Sequence, residues 1–216
     1  MSRVLHTPRV ASTSVNQITF TDRLRLNFGW VLNPAVEFLD KLGVHPNQLT
    51  LVGVLGSVAA AILVSQGQFS WGGLVILLTG PVDALDGALA RHRGEPQEFG
   101  AFVDSVTDRY SELAVYAGLL WAAQQQGELG FLMAVYLAAF GSMLVSYVRA
   151  RAQSLGFESK GGLFSRVERF LILSIFLLFN LPLLGVGLIA VGANFTALQR
   201  IWYVRKVSKM DDRELL

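Results

Sequence analysis

Four aspartates stand in stretches that are otherwise apolar: Asp83 and Asp86 in one, Asp104 and Asp108 in the next. The first pair is spaced i, i+3 and the second i, i+4, so on helices each pair shares one face. An aspartate at the centre of a membrane helix costs about 2.5–3.5 kcal/mol. Four would cost on the order of 10 kcal/mol on the same scale, so something must offset them. Converging carboxylates repel one another unless cations sit between them. Hard oxygen donors select Mg²⁺, Mn²⁺ or Ca²⁺, and Mg²⁺ typically shares its shell with substrate phosphates. Pairing with arginines is the competing explanation, but only Arg91 and Arg109 are near enough. Ala84, Gly87, Ala88 and Ala90 leave room for a bulky ligand, and Arg91, one turn past Gly87, can meet phosphate charge.

The elements that must position these residues are membrane helices. The chain is 52% hydrophobic and 16% charged, against about 25% charged in ordinary soluble domains. Six stretches are apolar and close to the roughly 20 residues a span requires: 48–66, 71–91, 100–124, 130–152, 163–180 and 182–204. Residues 21–43 mix Leu, Phe, Trp and Val with Arg23, Arg25, Glu37, Asp40 and Lys41, and suit an amphipathic interfacial helix interrupted at Pro34. The expected organisation is a flexible tail at 1–20, the amphipathic helix at 21–43, a six-helix membrane domain at 44–206 and a tail at 207–216.

Basic residues set the orientation. The connections near 66–71, 124–130 and 180–183 lack Lys and Arg. The opposite ones carry Arg91, Arg93, Arg149, Arg151 and Lys160, and the C-terminal end carries Arg200, Arg205, Lys206 and Lys209. Both termini and the 92–99 and 153–162 loops are therefore expected on the cytoplasmic side of the cell membrane. Measured from Arg91 and Gly100, Asp86 and Asp104 lie about 6–8 Å deep and Asp83 and Asp108 about 12 Å. The pairs match in depth, so four carboxylates can converge in the cytoplasmic half of the bilayer. With no cysteine, disulfides, thiolate nucleophiles and Cys-based metal sites are excluded. His6, His45 and His92 have no ligand spacing, and a net charge of +2 gives no argument for nucleic acid.

The run PVDALDGALARHRGEPQEFGAFVDSVTD fits D-x2-D-G-x2-A-R-x8-G-x3-D-x3-D without deviation from Asp83 to Asp108. In this it resembles the CDP-alcohol phosphotransferase family, and the six-helix plan and amphipathic N-terminal helix extend the likeness over most of 21–206. The resemblance implies two Mg²⁺ ions, with Mn²⁺ an alternative: Asp83, Asp86 and Asp104 would ligate one, and Asp83, Asp104 and Asp108 the other. Asp108 would be the general base for the acceptor hydroxyl. Gly87 and Arg91 would lie against the cytidine diphosphate, with Pro46, Asn47, Gln48 and Thr50 near the nucleotide and Gln97 contributing from the loop. The implied donor is a CDP-diacylglycerol-type lipid and the implied assembly a homodimer, for which Gly185, Gly187 and Gly192 would allow close helix contact.

The acceptor is read from arginines. SYVRARAQSLG places Arg149 and Arg151 at a helix end, and GGLFSRVERFLIL places Arg166 and Arg169 on one face of the next. Guanidinium groups bind phosphate bidentately, so several aimed at one cleft suit a phosphorylated alcohol. The competing reading is ordinary positive flanking of membrane helices. Both stretches resemble the phosphatidylinositol-phosphate synthases and their archaeal relatives, which implies inositol phosphate as acceptor. The departure Ser165-Arg166-Val167-Glu168-Arg169 from a family run of the type E-R-P-E-R leaves glycerol 3-phosphate open. A membrane prenyltransferase would require separated Asp-rich motifs. A divalent-cation transporter would be expected to show internal repeats and a midplane site.

Overall fold

A computed structural model describes residues 33–94, 98–157 and 162–214, with side chains throughout except at 83, 84 and 210–214. Residues 1–32, Gln97 and Lys160 lie outside the described residues, so the expected tail, most of the amphipathic segment and one nucleotide-contact candidate are not addressed.

The described residues are helical apart from turns and short irregular connections. A short helix, α1 (33–41), is followed by α2 (Pro46–Ser65), α3 (Phe69–His92), α4 (Glu98–Gln126), α5 (Leu129–Ser154), α6 (Arg166–Leu178) and α7 (Pro182–Glu214). Pro34 lies within α1 as described, and the helix continues past it to residue 41. From 207 the chain continues α7 as helix to Glu214.

Among the described residues four helices are long and apolar enough to cross a membrane: α2, α3, α5 and, over Pro182–Lys209, α7. Only 22–44% of their most apolar windows is buried within the chain. Trp71, Leu78, Val191, Leu198 and Trp202 instead face outward, each more than 60% exposed. An apolar exterior of this extent belongs against lipid. α4 and α6 fall outside that group. α4 carries Asp104, Asp108, Arg109 and Glu112 along its first half. α6 has 13 residues, about 20 Å of rise against a hydrocarbon core of about 30 Å.

The closely packed pairs are α2 with α3, α3 with α6, α6 with α7, α7 with α5, α5 with α4, and α4 with α2. Each of these helices thus has two close neighbours, and together they close a ring. α3 and α4, consecutive in sequence, are not a close pair; both pack against α2. Gly118 permits one of these approaches, since a Cβ there would meet the Ala61 carbonyl of α2 at 2.3 Å. The core includes Val64, Leu119, Phe131, Val135, Leu177, Val186 and Ile189. A smaller cluster of Val36, Leu49 and Leu89 seats α1 on α2 and α3.

Gly185 and Gly192 of α7 receive the rings of Phe176 and Phe164 of the same chain, while the Cβ position of Gly187 is open. Two of the three glycines expected to serve a dimer contact are therefore used within the protomer.

Candidate active site

α2 begins beside one of the aspartates. Pro46 opens the helix, and Gln48 Oε1 accepts from the His45 backbone N–H at 2.9 Å, capping the first turn. One turn in, the Thr50 hydroxyl donates to Asp86 Oδ2 at 2.7 Å. The other Asp86 oxygen accepts from the Gly87 N–H at 2.5 Å, and the residue is 5% exposed. Arg91 folds back over Gly87, where a Cβ would stand 3.3 Å from Arg91 Nη1. Pro46, Thr50, Asp86, Gly87 and Arg91 thus gather around the start of α2, with Asn47 exposed beside them.

Asp108 lies on α4, 8% exposed and flanked by two guanidinium groups. Arg166 Nη2 of α6 stands 2.7 Å from its Oδ1, and Arg109 Nη1 3.7 Å from its Oδ2. The expectation that only Arg91 and Arg109 come near enough to the aspartates is thereby corrected: the helix ring brings Arg166 closer to Asp108 than its sequence neighbour Arg109. One turn along α4, Glu112 accepts two bonds from Arg169, from Nε at 2.8 Å and Nη2 at 2.9 Å. Arg169 is 2% exposed, and its Nη1 also donates to the Phe164 carbonyl at 3.2 Å. The sequence places Arg166 and Arg169 together on one face, and the structure gives them different neighbours. Arg166 is half-exposed against Asp108, whereas Arg169 is turned into the core with its guanidinium occupied. α4 and α6 lie on opposite sides of the ring, so both ion pairs cross its interior. A cavity of about 70 Å³ lies beside them, lined in part by Ser57, Thr79, Ser111 and Tyr116.

Arg149 and Arg151 are exposed on the last turns of α5. Arg200, counted among the cationic flank of α7, is instead 3% exposed and donates to the Val145 carbonyl at 2.7 Å. It lies within electrostatic reach of Arg149, Arg169 and Glu168. An arginine preceded by a long apolar run was the signal that could have singled it out.

Among the described residues no three Asp, Glu or His side chains form a group able to hold a metal ion. Asp83, whose side chain lies outside the described ones, is needed to complete the expected set. The donor chemistry fits a hard divalent cation nonetheless: Asp86 and Asp108 are buried carboxylates, and Asp108 already faces a cation in Arg166.

Residues 43–198 match the family model described as CDP-alcohol phosphatidyltransferase. The chain is 36% identical to a phosphatidylinositol phosphate synthase of Mycobacteroides abscessus, covering 84% of this chain and 86% of that one. It is 35% identical to an archaetidylinositol phosphate synthase of Pyrococcus horikoshii, over 80% and 89%. Among solved structures it resembles the Mycobacterium tuberculosis phosphatidylinositol phosphate synthase with CDP-DAG bound. The TM-score is 0.74 at 32% identity, covering 81% of this chain and 93% of that one. The same enzyme in complex with manganese and citrate gives a TM-score of 0.72 at 31% identity, over 80% and 88%.

Proposed function

The chain belongs to the CDP-alcohol phosphatidyltransferase family, and from that premise we propose that it transfers the phosphatidyl group of CDP-diacylglycerol to inositol phosphate, releasing CMP. The observation that carries this reading is Asp108, a buried carboxylate with the Arg166 guanidinium 2.7 Å away. A base for an alcohol and a cation for that alcohol's phosphate then stand side by side. The relatives named above support the choice of lipid and acceptor.

Asp108 takes the proton of the acceptor hydroxyl. The oxygen then attacks the lipid-side phosphorus, the phosphoanhydride bond breaks, and CMP leaves. Arg149, Arg151 and Arg166 draw in the acceptor phosphate, joined by the buried Arg200. The first turn of α2, with Pro46, Asn47, Gln48 and Thr50, receives the nucleotide together with Gly87, Arg91 and Gln97. Helix N-termini favour phosphate, which suits this placement. Asp83, Asp86, Asp104 and Asp108 would hold two Mg²⁺ ions, with Mn²⁺ able to replace them, and such a pair stabilises the attacking and leaving oxygens of a displacement. The manganese complex of the related enzyme supports a divalent ion.

The wider reading has α2 to α7 as six spans, α1 in the interface, the site on the cytoplasmic side and the working unit a homodimer. Purified protein with CDP-diacylglycerol and Mg²⁺ should release CMP when inositol phosphate is added, and not with inositol or serine. Release with glycerol 3-phosphate alone would move the acceptor. Protein that binds no CDP-lipid would sink the reading altogether.

A further inference from the structure

The two ion pairs between α4 and α6 form a ladder with unlike rungs. The lower, Glu112–Arg169, is bidentate and buried; the upper, Asp108–Arg166, has its arginine half-exposed at the mouth of the cavity. Because α4 and α6 are not a closely packed pair, long side chains rather than backbone contact relate them across the ring.

We propose that Glu112 and Arg169 are positioning residues, a strut that sets the height and rotation of the first turn of α6 so that Arg166 stands over Asp108. Arg166 and Arg169 are one turn apart, as are Asp108 and Glu112, so fixing one rung fixes the register of the other. Arg169 holds more than Glu112. Its third bond, to the Phe164 carbonyl, ties down the residue that precedes the Ser165 cap. Phe164 is fastened in turn to α7, through its N–H to Thr196 Oγ1 at 3.1 Å and its ring against Gly192. Ser165 and Glu168 bond within the same turn. The first α6 turn is thus tied to α4 through Arg169 and to α7 through Phe164, while Arg166 reaches Asp108 with its own side chain half-exposed. A bidentate guanidinium–carboxylate pair fixes orientation as well as distance, which a point charge cannot do.

The kinetic part of this inference rests on Arg166 serving a phosphorylated acceptor; the geometric part does not. A single Glu112→Gln change strands a buried guanidinium and risks unfolding the chain, so the decisive variant removes both charges. Glu112→Leu/Arg169→Met should fold, because replacing a buried pair with apolar residues of similar size is often neutral or stabilising. Its crystal structure should keep the helix ring but show Arg166 displaced from Asp108 beyond about 4 Å, the limit of an ion pair. With CDP-diacylglycerol and inositol phosphate, its acceptor KM should rise at least about tenfold while CDP-lipid binding stays within about twofold. Arg169→Lys, which keeps charge but loses the fork, should fall between the two. A double variant with Arg166 still in contact with Asp108 overturns the strut. So does one with Arg166 displaced but acceptor KM unchanged while the wild type is active. A wild type that releases CMP with no phosphorylated alcohol overturns the functional reading, and the crystal structure then decides the strut by itself.

Discussion

At the scale of the residue, the roles proposed for Asp108 and Arg166 can be told apart by substitution. Asp108→Asn keeps size and shape but cannot accept the hydroxyl proton. CMP release is expected to fall by at least about 10²–10⁴, the usual range for a lost general base, since the change also weakens one donor to the divalent ions; an assay pairing CMP formation with equilibrium CDP-lipid binding separates the two effects. Arg166→Gln leaves the base and removes the neighbouring cation, so the acceptor KM should rise about tenfold or more. The same change should tighten Mn²⁺ binding, read by electron paramagnetic resonance, because a guanidinium no longer competes for the Asp108 carboxylate. A weakened Mn²⁺ affinity would show that Arg166 does not compete with the ion. That Asp86 and Asp108 are buried was legible in the sequence, because a charge in an apolar run is conspicuous wherever it points. Arg169 was noticed but its partner was not legible, because spacing fixes a face and not a partner: its carboxylate lies 57 residues earlier. Thr50 and Asp86, 36 residues apart, join two separately readable segments by a bond that neither announces.

At the scale of the element, helix existence was legible and helix neighbours were not. The apolar stretches at 48–66, 71–91, 100–124 and 130–152 correspond closely to α2 through α5, since continuous apolar sequence leaves the backbone little alternative to satisfying its own hydrogen bonds. α6 is shorter than its stretch because Phe164 and Ser165 turn the chain before the helix begins, with Phe164 bonded to Thr196. α3 and α4, consecutive in sequence, both lie on α2, and closing the ring depends on contacts such as Gly118 on Ala61. This yields a stability prediction. Gly118→Val forces side-chain bulk against a backbone carbonyl and should lower stability by about 1–3 kcal/mol, the usual cost of overpacking. Thermal unfolding in detergent checks it, and an unchanged midpoint would mean that α2 and α4 can part without cost.

At the scale of the whole molecule, the ring explains how a chain this apolar carries so many buried charges. Asp86, Asp108, Arg169 and Arg200 are all buried, yet each is held by a bond or ion pair from a residue on another helix. Trp71, Leu78, Val191 and Trp202 occupy the outside. Ionic groups inside and apolar groups outside is the arrangement lipid demands of a protein with polar chemistry. The proposed orientation rests on the basic connections, and the absence of cysteine makes it directly testable, because any introduced thiol is the sole one. Gln126 and Gln153 are both exposed, at opposite ends of α5 and its preceding turn. In intact cells, Gln126→Cys should react with a membrane-impermeant maleimide, while Gln153→Cys should react only after the membrane is opened. The reverse pattern would place Asp108 and its arginines on the outer face, away from a CDP-lipid made in the cytoplasm. Labelling of both residues in intact cells would mean that α5 does not cross at all, and the membrane argument built on the exposed apolar surface would fail with it.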